Sequence, residues 1–183
     1  MQKTIGIFSA LLITLLFSFC DHQKKFEKQI HVLDSLKLEL EKGIAVYKTI
    51  DTARLSRRIN EYEQNFNFIL EHVKDTLEKK DGEAVNAYKD LKKPLVYLYS
   101  KNKDFIIELE TSKNQLRDLA DDLKNNKIEE ARAFEYFQNE KAYTLDLLKQ
   151  LDKDMNLSKN EFPRFDSLNI KIKELIERYT NKK

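Results

Sequence analysis

The sequence predicts an all-α protein, an elongated antiparallel helical bundle, coiled-coil-like, of four to five helices. Three observations carry that expectation. Three Gly and two Pro in 183 residues are too few turn formers for a sandwich, a barrel or a doubly wound sheet. A charged fraction of 35% beside 41% hydrophobic leaves enough apolar surface to bury while keeping a charged exterior, which excludes a disordered chain. The apolar residues recur in alternating steps of four and three, an average of 3.5 residues, which is the period of a left-handed helix seam and not of a strand.

The first helical run is Phe26, Ile30, Leu33, Lys37, Leu40, Ile44 and Tyr47, with Lys37 as its one polar interruption. Asp51 reads as the N-cap of the second run, Leu55, Ile59, Tyr62, Phe66, Ile69 and Val73, because a short acidic side chain can accept from the free N–H groups of a first turn. Asp81-Gly82 reads as the next break, with Gly82 supplying a left-handed residue. The third run is the longest, from Ala84 through Tyr88, Leu91, Leu95, Leu98, Asn102, Phe105, Leu109 and Ser112 to Leu123. Its register passes Pro94 without a slip, so a continuous helix kinked near Pro94 is expected. Asn126 with Glu129 imitates a capping box for a fourth helix, whose face is read as Ile128, Ala131, Phe134, Phe137, Leu145, Leu148 and Leu151. The polar stretch 152–163 reads as a loop, with Pro163 in the first turn of a last helix through Phe165, Leu168, Ile172, Leu175 and Tyr179.

The N-terminus is of a different kind. Lys3 is the only charge before Asp21, and Thr4 to Phe19 is a run of sixteen uncharged, mostly apolar residues ending at Cys20, the only cysteine. That run is short for a membrane span and fits the core of a signal peptide. The segment Leu15-Leu16-Phe17-Ser18-Phe19-Cys20 resembles the end of a bacterial lipoprotein signal peptide, with Phe17 and Phe19 standing where that family prefers Leu and a small residue. The resemblance implies cleavage before Cys20 and lipidation of its thiol. It divides the chain into a removed signal peptide 1–19, a lipidated tether 20–25 and a single helical-bundle domain 26–183. Acyl chains (palmitate-type) on Cys20 then hold a water-soluble body on a bilayer, at about 0.8 kcal/mol per buried CH₂. The rest of the chain is similar to helical lipoproteins of Bacteroidota-type bacteria. Asp21-His22-Gln23-Lys24-Lys25 has one acid and two bases, so the periplasmic side of the cell envelope is the expected location.

The motifs of catalysis do not assemble. No Glu-x-x-His pair, nucleotide loop or nucleophile elbow occurs. Asp152, Asp154, Asn156 and Ser158 imitate the first half of a calcium loop, but Leu157 and Pro163 replace its required Gly and Glu. No enzyme activity, cofactor or metal is expected. The net charge of +2 has its signs interspersed, so nucleic acid is not an expected partner. Two further features remain. Tyr97, Tyr99, Phe134, Tyr136 and Phe137 make an aromatic middle third and a candidate patch for a partner or a ligand. Asp51-Thr52-Ala53 resembles a three-residue O-glycosylation acceptor, which makes Thr52 a candidate modified residue. The reading is a non-enzymatic scaffold, spacer or interaction module, anchored through Cys20, with a protein partner and room for self-association along an exposed seam. The alternative is a module holding a small apolar or lipid-like molecule against the aromatics.

Overall fold

The computed structural model describes residues 25–73 and 77–181. Among them there are five α-helices and no strand: α1 Glu27–Tyr47, α2 Thr52–His72, α3 Lys79–Lys89, α4 Lys92–Lys124 and α5 Glu130–Thr180. None of these helices is long and apolar enough to cross a membrane. The described residues fall into two compact units. Of these residues, the first unit takes those up to Ile44 with Glu108–Leu148; the second takes those within Ala45–Ile107 and those from Lys149 on. The divisions fall inside α1, α4 and α5.

The ends of the helices follow local chemistry. α1 closes by tightening, with Thr49 and Ile50 N–H donating to the carbonyls of Val46 and Tyr47 at 3.0 and 3.1 Å. Asp51 is the N-cap of α2, as expected, and its carboxylate accepts from the Arg54 N–H at 2.8 Å. Gly82 does not break the chain. It lies inside α3, and no glycine among the described residues has positive φ. The left-handed residue is Asn126 instead, at φ 53°, which ends α4 rather than starting the next helix. Lys127 N–H reaches the Asp122 carbonyl at 3.0 Å and Asn126 N–H the Leu123 carbonyl at 3.5 Å, the paired bonds of a Schellman stop.

Two prolines act in opposite ways. The third run is divided at Asp90-Leu91 into α3 and α4 and is not a continuous helix; Pro94 sits in the first turn of α4. There its missing N–H costs nothing, whereas an unbroken helix would drive its ring into the Asp90 carbonyl. Pro163 sits inside α5, which runs without interruption through 152–163, so the expected loop is absent and α5, at 51 residues, is the longest helix. A proline in a helix interior costs about 3 kcal/mol. Burying Phe165, Leu168, Ile172 and Leu175 in register beyond it contributes about 1.5–3 kcal/mol each, and that outweighs the break.

Each unit has its own core. In the first, Leu33, Leu36 and Leu40 of α1, Leu109, Leu116 and Leu123 of α4, and Ala133, Phe137 and Leu147 of α5 are buried. The face expected for the fourth helix is therefore displaced: Phe134 and Leu145 are exposed, and the interior line runs Ala133, Phe137, Glu140, Thr144, Leu147. In the second unit the core is aromatic. Tyr88 stacks between Tyr62 and Phe165, at centroid distances of 5.0 and 5.9 Å, and Tyr47 meets Phe105 edge-on at 5.1 Å. The seam of the third run is buried at every position from Tyr88 to Leu123, including Asn102 and Ser112.

Candidate functional site

Polar side chains at interior positions of α5 build the second unit's first site. Asp154 is 1% exposed. It accepts from the Gln150 side-chain amide at 2.6 Å, from the Tyr97 hydroxyl at 3.2 Å and from the Tyr47 hydroxyl at 3.3 Å. Gln150 also donates to the Tyr97 oxygen at 2.8 Å. Burial, and then the nearby Asp154, push the Tyr47 hydroxyl far above its ordinary pKa; the same two causes raise Tyr97. Both phenols are thereby held as donors. Three donors converge on one carboxyl group, and what the cluster performs is hydrogen-bond satisfaction of a buried acid.

A second interior set lies on α2, α3 and α5. Asn169 is buried and its oxygen accepts from the Tyr88 hydroxyl and the Asn65 amide, both at 2.8 Å. Burial pushes Tyr88 up to about 12. Burial also acts to raise Glu61, but hydrogen bonds from Lys173 and Asn169 more than offset it and leave that carboxyl below its usual range. One turn away, Arg58 is buried against Phe162, its guanidinium 4.6 Å from the ring centroid, and grips Asp166 with two bonds of 3.0 and 2.8 Å. Arg54 adds a third contact to the same carboxylate at 3.3 Å.

The concave surface is elsewhere. An open groove of about 1190 Å³ runs between α3 and the last turns of α5, within the second unit. Its floor is Ala84, Ala87, Leu168 and Ile170, the last 61% exposed. Its rim carries five acids and three bases. One bridge ties the walls: Arg178 donates to Asp81 at 2.8 Å, and that bond raises the guanidinium further above its ordinary value.

The residues singled out from the sequence are distributed differently from that expectation. Tyr97 and Tyr99 belong to the second unit; Phe134, Tyr136 and Phe137 belong to the first. Tyr97 is half-buried with its hydroxyl engaged, whereas Tyr99 is exposed. Phe134 and Tyr136 are exposed, Phe137 is buried, and Lys141 stands 5.9 Å over the Phe137 ring. No single unit collects the five. Thr52 is the first residue of α2, half-buried, directly after the capping Asp51. Asp152 and Asn156 bond each other at 3.1 Å along one helix face, so the calcium-loop imitation is part of α5. No group of acids, His and Cys able to hold a metal occurs among the described residues. Cys20 lies outside the described residues.

Asp154, Gln150 and Tyr47 escaped the sequence reading as site residues, although counting back from Phe165 in steps of four, three and four reaches Glu161, Ser158 and Asp154. The groove had a signal too: a small Ala84 stands where the seam calls for a large side chain. No protein-family model matches the chain, and comparison with curated proteins and with solved structures finds no match either.

Proposed function

We propose that the protein is a non-enzymatic envelope scaffold, held on a bilayer through acyl chains on Cys20 and acting by contact along coiled-coil-like helices. One observation carries this reading. The reactive-looking interior side chains are consumed by bonds within the protein, Asp154 by Tyr47 and Tyr97, Asn169 by Tyr88 and Arg58 by Asp166, while the large concavity is an open, charged groove rather than an enclosed pocket. Such a surface fits another protein better than a small apolar molecule, which needs 70–90% of its own surface covered. Burial along α5 in steps of four and three supports coiled-coil-like packing.

The test is intact mass and membrane fractionation of the native protein beside Cys20→Ser. The reading expects a membrane-bound species with the mass of residues 20–183 plus acyl chains, and loss of both lipid and membrane from the variant. If both forms retain residues 1–19, or both are released and cut at another bond, the anchor is wrong.

A further inference from the structure

We infer that the groove between α3 and the end of α5 is a docking site for a basic amphipathic helix of a partner protein, an inference that rests on the scaffold reading and gives it a surface. α3 is the observation that points there. It has 11 residues and only one buried side chain, Tyr88. A helix of that length is marginal in water and relies on packing of an apolar face. Here that face carries Ala84 and Ala87, whose small side chains leave the space towards α5 open, and Ile170 is left 61% exposed on the α5 side of the floor. The walls are joined at their edges by Asp81–Arg178 and by Arg164 donating to the Ala87 carbonyl at 3.3 Å. The result is a trough with an unfilled apolar floor, which is how helix-in-groove recognition is built.

Length and charge define the occupant. The lining on this side runs from Ser167 of α5 to Asn181 just past its end, about 21 Å at 1.5 Å per residue, the length of roughly 14 helical residues. With Asp81 and Arg178 neutralising each other, the rim keeps Glu78, Glu83, Glu174 and Glu177 against Lys80 and Lys171. An occupant with an apolar stripe for Ile170 and the two alanines, flanked by Lys or Arg, meets both demands. The small floor residues let its backbone come close.

The experiment uses the full-length protein and a fluorescent 14-residue Leu/Lys amphipathic peptide, with a Leu/Glu peptide of the same pattern as control. Anisotropy at low and moderate salt gives affinity. The expected result is salt-sensitive binding of the Leu/Lys peptide only. Glu174→Lys/Glu177→Lys and Ala84→Phe, the latter filling the floor, should each weaken it at least tenfold, and unchanged circular dichroism shows that the variants remain folded. Equal binding to wild type and both variants, equal binding of the two peptides, or no binding overturns the groove. Concentration-dependent dimers lost in Ala84→Phe also overturn it, since the occupant would then be a second copy. A photo-crosslinking residue placed in cells at Ile170 or at Leu70, an exposed apolar residue outside the groove, separates the two readings. Crosslinks at Leu70 alone sink the groove and leave the scaffold; crosslinks at neither sink both.

Discussion

Asp154 and Glu140, two of the carboxyl groups on the interior line of α5, lie in different units and are treated in opposite ways. Asp154 in the second unit receives three donors. Glu140 in the first has an oxygen, Oε2, that is fully buried and accepts no hydrogen bond, and burial raises its pKa. A buried polar group with partners contributes about 1 kcal/mol per bond, while one without costs its whole desolvation. The same helix therefore carries a polar anchor in one unit and a stored penalty in the other, and the difference lies in the neighbours: Tyr47, Tyr97 and Gln150 are long enough to reach Asp154 from three positions.

The largest expected effect breaks the anchor. Asp154→Leu removes the common acceptor and leaves the Tyr47 hydroxyl buried without one, with Tyr97 and Gln150 partly able to rehydrate. Destabilisation of about 3 kcal/mol is expected by urea unfolding, and about 1–2 kcal/mol for Asp154→Asn, which keeps one acceptor oxygen. A loss below about 1 kcal/mol for the leucine variant would show that the network contributes no more than ordinary packing.

These polar anchors also explain what could be read from the sequence. The seams of α1 and of the 84–123 run were legible because nearly every interior position holds a large apolar residue, and Leu33, Leu40, Leu91, Leu95, Leu98, Leu109, Leu116 and Leu123 are fully or almost fully buried. The Asp51 cap was legible because capping is local. α5 was legible at its end, where Phe165, Leu168, Ile172 and Leu175 are buried as expected, but not before it, because Glu140, Thr144, Asp154, Ser158 and Glu161 occupy seam positions and make 152–163 look like a loop. Whether such a residue faces inward depends on tyrosines more than fifty positions away, which periodicity alone does not contain. Gly82 and Asn126 failed for a related reason. Gly is permissive rather than obligatory for the left-handed state: Gly82 stays helical, and the left-handed residue is Asn126 at the end of α4. The acidic groove was visible only as one small residue, Ala84, in an otherwise large-residue seam.

The intermediate effect reverses the penalty. Glu140→Leu should stabilise the protein by about 1 kcal/mol, because it removes a group that gains no bond from burial. The pH dependence has a defined sign. A raised folded-state pKa means that the folded chain binds more protons than the unfolded one, so stability falls as pH rises. The fall begins at the ordinary glutamate value of about 4.3 and is complete above the raised value. Urea midpoints measured from pH 4 to 7 for wild type and Glu140→Gln should diverge in slope through that window, the wild type falling more steeply. Parallel slopes would mean that Glu140 finds solvent or a partner in solution, and the contrast with Asp154 would dissolve.

The smallest effect sharpens the contrast within the first unit itself. One turn from Glu140, Thr144 is fully buried and shares a hydrogen bond of 3.1 Å with the equally buried Ser112. Here two neutral groups satisfy each other, with no charge to desolvate. Thr144→Val keeps the shape and orphans the Ser112 hydroxyl, which should cost about 1 kcal/mol. Ser112→Ala/Thr144→Val removes both polar ends and should return to within about 0.5 kcal/mol of wild type, since a matched loss of donor and acceptor is nearly neutral. With about 1 kcal/mol for each single change, the double-mutant cycle should read a coupling of about −1.5 to −2 kcal/mol, the double variant being far less destabilised than the two singles add up to. Additive losses would locate the stability of this pair in its methyl and methylene packing. A polar pair that can be erased without loss, beside a glutamate whose removal is a gain, would leave the second unit as the one whose interior polarity stabilises the fold.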